Sequence, residues 1–236
     1  MKTPVIKIQA RLPMRLLTLV LPFLAAAATV SLPAASSVAA PLFVPAQGLH
    51  VQPVAQDPGA AAQALIQKLG DTATSALSDQ SLNDTGRMSL FRKILAAHFD
   101  TPLVARFAAG RYWRAATPQQ QSEYVKLYQQ MILNVYSARF KNYSGQKFTV
   151  TGDRADGASG DIIVTSQVTG KGSPITVDWR VRNTGGADKI IDVMVEGVSM
   201  AITQRNDFAS VIQQGGGQFT ALIDYLRDGG TSDVKD

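Results

Sequence analysis

From residue 58 onward the apolar positions recur first with the period of a helix and later with the period of a strand. Leu65, Ile66, Leu69, Ala73, Ala76 and Leu77 form a helical stripe, and Asp57-Pro58 supplies an N-cap and first-turn proline ahead of it. A second stripe, Leu90, Phe91, Ile94, Leu95 and Phe99, predicts a helix from about Thr85 to Phe99. Asp100-Thr101-Pro102 then starts a short helix that Gly110 can close. Thr117, Pro118 and Gln120 make a capping box for a helix of roughly six turns, striped by Tyr124, Leu127, Tyr128, Met131, Val135 and Tyr136.

After Gly145 the period drops to two. "KFTVT", "DIIVTSQVT", "PITVDWRVRN" and "DKIIDVMVE" read as four strands separated by the turn clusters "DRADGASG", "GKGSP" and "NTGGAD". In the third, Ile175, Val177, Trp179 and Val181 face one way, and Thr176, Asp178, Arg180 and Arg182 the other, the signature of a half-buried antiparallel strand. Two helices, around Asp207–Gln213 and Phe219–Arg227, follow on either side of the glycine triplet 215–217. Helices, then a meander, then helices define an α+β fold: a helical layer packed on one face of a twisted four-stranded antiparallel sheet.

The first 58 residues follow neither period. Lys2, Lys7, Arg11 and Arg15 precede an apolar run from Leu16 to Val30 and the small-residue stretch "PAASSVAAP". This is the layout of a cleavable secretory signal peptide over 1–39, and the run is short for a membrane span. Residues 40–58, rich in proline, read as a flexible leader, 59–228 as the folded domain and 229–236 as a disordered tail. Removing 1–39 changes the charge picture. The whole chain has 23 Lys and Arg against 18 Asp and Glu, and losing four basic residues leaves 19 against 18. No electrostatic case for nucleic acid remains.

The chain holds no cysteine, which excludes disulfides, thiol catalysis and thiolate metal sites. His50 falls in the leader and His98 on a helix beside Phe99, so no grouped metal ligands are visible. No phosphate-cradling loop and no nucleophile elbow are present. Asp178, Asp192 and Glu196 are the remaining candidates for acid–base work, but Asp178 lies on the polar face of its strand beside Arg180, which points to surface pairing. What the sequence has in excess is apolar surface. Such layers can pack solid or leave a gap for an apolar ligand, and periodicity does not separate the two.

The segments "FDTPLVARFAAGRYWRAATPQQQSEYVKLYQQMILNVYSARFKNYSGQKF" and "IIDVMVEGVSMAITQRNDFASVIQQGG" closely resemble the MlaC family, periplasmic phospholipid-binding proteins also described as toluene-tolerance proteins. The likeness runs over about residues 60–228 and rests on "GRYWRAATPQQQ" and on "DVMVEGVSM" followed by Gln204-Arg205-Asn206-Asp207-Phe208. It departs at "GGADKIIDV", where similar proteins carry a Trp. The resemblance implies a monomeric shuttle with no catalytic residue, no metal and no cofactor beyond a bound phospholipid. Its implied partners are an inner-membrane MCE-domain ring protein of an ABC transporter and an outer-membrane lipoprotein–porin complex, and its implied role is outer-membrane lipid asymmetry. Acyl chains would lie in a cavity between helices and sheet.

On that reading Leu95, Phe99, Phe107, Tyr128, Met131 and Val135 line the cavity from the helices. Val177, Trp179, Val181, Val193 and Val195 line it from the sheet, with Val198 and Met200 near the mouth. Tyr112 and Trp113 are expected to pack between helices. The alternatives are a carrier of hopanoid or another apolar lipid, a cone-fold enzyme with a buried carboxylate acting on a steroid-like ligand, and a solid-cored interaction module.

Overall fold

A computed structural model describes residues 57–140, 143, 145–170 and 172–230. The expected signal peptide, nearly all of the leader and residues 231–236 lie outside the described residues.

Local rules place the helices. α1 (Pro58–Ser78) starts where Asp57 accepts the Gly59 N–H at 3.0 Å. Asn83 caps α2 (Asp84–His98) by accepting from Gly86, and Asp100 caps α3 (Thr101–Ala109) by accepting from Leu103. α3 ends at Gly110, whose φ of 58° suits glycine, and a 3-10 segment, Gly110–Ala115, follows. At the head of α4 (Pro118–Phe140) the box is reciprocal: Gln120 N–H donates to Thr117 Oγ1, and Thr117 N–H to Gln120 Oε1.

The sheet is an antiparallel meander in chain order, β1 (Lys147–Ala155), β2 (Ile162–Thr169), β3 (Ile175–Thr184), β4 (Ala187–Val195) and β5 (Val198–Ser199). It has five strands rather than the expected four. The fifth arises because Glu196 (φ 50°) and Gly197 (φ 78°) form a two-residue turn with both φ positive, which folds Val198-Ser199 back onto Met194-Val195. Ser199 at once caps α5 (Met200–Gln214), accepting from Ile202, so α5 begins seven residues before the expected Asp207. α6 (Phe219–Arg227) matches its expected span, and Gly229 and Gly230 close it through backbone bonds to Leu226 and Tyr225.

Two bulges shape the sheet. β1 slips against β2 between Val150 and Gly152, which carries β1 on into residues that read as a turn. β4 slips against β3 between Arg180 and Val181, leaving Ile191 as the extra residue. The second slip keeps both Ile190, opposite Val181, and Val193, opposite Trp179, on the helix-facing side.

Packing divides the described residues into two apolar clusters. One is helical, with Ala105, Ala108 and Ala109 of α3, Tyr124, Tyr128 and Met131 of α4, and Phe208, Ile212, Phe219 and Leu222 of α5 and α6. The other joins Ala62, Ile66 and Leu69 of α1 to Val164, Val181 and Ile190 of the sheet. Tyr124 anchors the first. It is fully buried, donates its hydroxyl to the Ala105 carbonyl at 2.8 Å, and meets the Phe219 ring edge-on at 5.4 Å.

Candidate functional site

The expected lining residues fall on the helix-facing side of the sheet and on the helices that meet it, where several are only half-buried. On the sheet side, register aligns Val195 with Val177, Val193 with Trp179 and Ile190 with Val181 on one face. Val177 and Val181 are buried there, while Trp179, Val193 and Val195 are half-buried. Ser166, buried on the same face, accepts from the Trp179 indole N–H at 2.8 Å and donates to the Val177 carbonyl. That double bond fixes the indole with its ring edge-on to Phe148.

On the helix side, α2 carries the stripe Leu90, Phe91, Ile94 and Leu95 yet has no buried residue. Phe99, directly after it, is half-buried and bridges to Ile190 through the backbone. Val135 is half-buried, whereas Tyr128 and Met131 sit inside the helical cluster. Tyr128 donates to Gln204 Oε1 at 3.0 Å, and Gln204 Nε2 reaches Met131 Sδ at 3.6 Å. Burial, and after it the neighbouring Tyr136 and Asp192, push the Tyr128 phenol up, so it remains a neutral donor.

Of the residues expected in the lining or at the mouth, three sit nearer the surface. Phe107 is 41% exposed on the outer side of α3, because the helix turns its Ala105, Ala108 and Ala109 face inward. Val198 is 45% exposed on β5. Met200 is the first residue of α5 rather than the end of a strand, and is half-buried. Ile190 and Phe148, absent from the expected lining, belong to the sheet cluster. The bulge hid Ile190, since strict alternation from Val193 assigns it to the opposite face.

The carboxylates serve structure. Asp192 accepts from the N–H groups of Val193 and Ala201 and from the Ser199 hydroxyl, tying β4 to the start of α5. Glu196 accepts from the Thr176 N–H and clamps the turn to β3. Asp178 pairs with Arg154 at 3.0 Å rather than with its strand neighbour Arg180. Arg180 instead pairs with Asp156, and Arg182 makes a forked pair with the buried Asp161 at 2.7 and 2.8 Å. Among the described residues no group of His, Cys, Asp or Glu is placed to hold a metal. Tyr112 and Trp113 pack against the helical cluster as expected, Trp113 edge-on to Tyr124 at 6.2 Å.

The outer surface carries an open recess of about 410 Å³, lined by Leu103, Phe107, Trp113 and four arginines: Arg106, Arg111, Arg114 and Arg205. A smaller one beside it shares Gly110, Arg111 and Arg205.

A helical layer packed on an antiparallel meander, with half-buried apolar residues on the facing sides, defines an α+β fold. The family model described as "MlaC protein" matches residues 63–228, and the chain belongs to the MlaC family. It is 29% identical over 115 residues to the toluene tolerance protein Ttg2D of Pseudomonas putida, an alignment covering 48% of this chain and about half, 53%, of that relative. Its fold matches a phospholipid-binding protein from Ralstonia solanacearum solved in complex with a phospholipid. The TM-score is 0.62 at 25% identity, over 71% of this chain and 96% of that one.

Proposed function

We propose that the protein is a phospholipid carrier whose ligand's acyl chains lie between α2 and the inner face of the sheet. The observation that carries this reading is α2: its four large apolar residues on one stripe are each only half-buried, although Ile94 packs on the sheet cluster and Phe91 meets the Tyr136 ring at 6.1 Å. A globular helix normally buries such a face fully, and an acyl chain would complete the cover. Leu95, Phe99 and Val135 form the helical wall, and Val177, Trp179, Val181, Val193 and Val195 the sheet wall. Val198 and Met200 stand at the opening. The fold match to a protein solved with a phospholipid supports the ligand class.

The physical need is clear. At about 0.8 kcal/mol per CH₂, two acyl chains of about 15 carbons hold on the order of 20 kcal/mol against entering water. A carrier hides the tails and can leave the head group wet. It requires no nucleophile and no metal. Family membership supports the wider setting: a periplasmic shuttle between an outer-membrane lipoprotein–porin complex and an inner-membrane MCE-domain ring of an ABC transporter, acting in outer-membrane lipid asymmetry.

The test is organic extraction of the purified protein followed by mass spectrometry. Co-purifying phospholipid is expected. Absence of lipid, together with failure to load any from phospholipid vesicles, would overturn the reading.

A further inference from the structure

The arginine recess lies apart from the walls proposed for the acyl chains, and it is a built feature. Arg106, Arg111, Arg114 and Arg205 come from α3, the 3-10 segment and α5, and neither recess has an Asp or Glu in its lining. None of the four makes an ion pair among the described residues, while Arg154, Arg180, Arg182 and Arg227 all do. The positive charge is therefore local and unneutralised, on a chain that carries 19 Lys and Arg against 18 Asp and Glu once residues 1–39 are set aside.

Close packing holds the cluster. The Arg205 guanidinium lies 5.2 Å over the Phe107 ring. A Cβ on Gly110, where φ is +58°, would meet Arg205 Nε at 3.1 Å, so glycine is what lets that side chain approach. The surroundings are apolar as well as basic. Phe107 is 41% exposed, and Ile202, one turn before Arg205 on α5, is 53% exposed. A soluble anion has no use for exposed Phe and Ile. A lipid surface takes both, phosphates on the guanidinium groups and apolar side chains at the headgroup boundary.

We propose that this patch seats the protein on anionic phospholipid bilayers, with Arg106, Arg111, Arg114 and Arg205 taking lipid phosphates while Phe107 and Ile202 enter the headgroup layer. The inference deepens the carrier reading and rests on it for the reason to meet a bilayer at all.

Flotation of the purified protein with vesicles tests it. One set is equimolar phosphatidylglycerol and phosphatidylcholine, the other phosphatidylcholine alone. The protein should float with the anionic set only, less so as salt rises. A basic residue at an anionic surface is worth roughly fivefold in affinity, so Arg114→Gln with Arg205→Gln should weaken flotation on the order of thirtyfold. Both residues are exposed, and the variant should keep its circular dichroism and its extractable lipid. Equal flotation of variant and wild type overturns the proposal. So does failure of the wild type to bind anionic vesicles, which would assign the patch to an acidic protein instead. Protein that floats but yields no lipid on extraction or loading would support docking and refute the carrier reading, so the two fail separately.

Discussion

Asp192 serves three donors at once: the Ser199 hydroxyl at 2.6 Å, the Val193 N–H at 2.8 Å and the Ala201 N–H at 3.1 Å. Replacing it with Ala strands the last two partners at the join of sheet and helix, so Asp192→Ala should cost about 2 kcal/mol in urea unfolding. Asp192→Asn, which keeps one acceptor, should cost less, and equal stabilities would show that the carboxylate does not fasten α5. Asp161 makes a pH prediction. Hydrogen bonds from Arg182 outweigh its burial and hold its pKa below the ordinary 3.8. The folded value is thus lower than the unfolded one. Its stabilisation is complete above about pH 4 and is lost as pH falls through the folded value. Asp161→Asn should therefore shrink the drop in unfolding midpoint between about pH 6 and about pH 2.5, and an unchanged drop would place the acid sensitivity elsewhere. Neither role was legible in the sequence. Asp192 looked like a strand acid with a candidate acid–base role, and Asp161 like the first residue of a strand, because a carboxylate's partners come from other strands.

At the scale of elements, caps were legible and contacts were not. Asp57, Asp100 and Thr117 act through neighbours two or three residues away, so short-range pattern suffices. β5 and the first half of α5 escaped because Val198, Met200 and Ile202 continue a strand-like alternation, and because Glu196 at positive φ is a weak turn signal. Gly70 shows the same limit. Within a helical stripe it reads only as lost propensity, yet a Cβ there would lie 2.1 Å from the Phe148 ring, so it sets how closely α1 lies on β1. Gly70→Ala should push the helix off the sheet and lower stability by about 1–3 kcal/mol, despite alanine's better helix propensity. A thermal midpoint at or above that of the wild type would remove this account.

For the whole molecule, the proposed carrier role makes ligand part of stability. Protein stripped of lipid should melt below the loaded form, because a ligand at about a hundredfold its dissociation constant adds about 2.7 kcal/mol. Identical melting curves would argue that the protein holds no such ligand. Val198 is 45% exposed, so Val198→Glu leaves the core intact and should reduce extractable lipid while preserving the far-ultraviolet spectrum. Unchanged lipid would move the opening away from β5. The sequence by itself determined the α+β class, most helix starts, the meander and its inward-facing residues, because caps and periodicity act over a few residues. Its family-bearing motifs also pointed to phospholipid before any fold was in view. Only the tertiary structure decided that the core divides in two, that a bulge keeps Ile190 inward, and that Phe107 faces outward beneath Arg205. Those outcomes depend on which distant surfaces meet, and pairing across tens of residues leaves no local period to read.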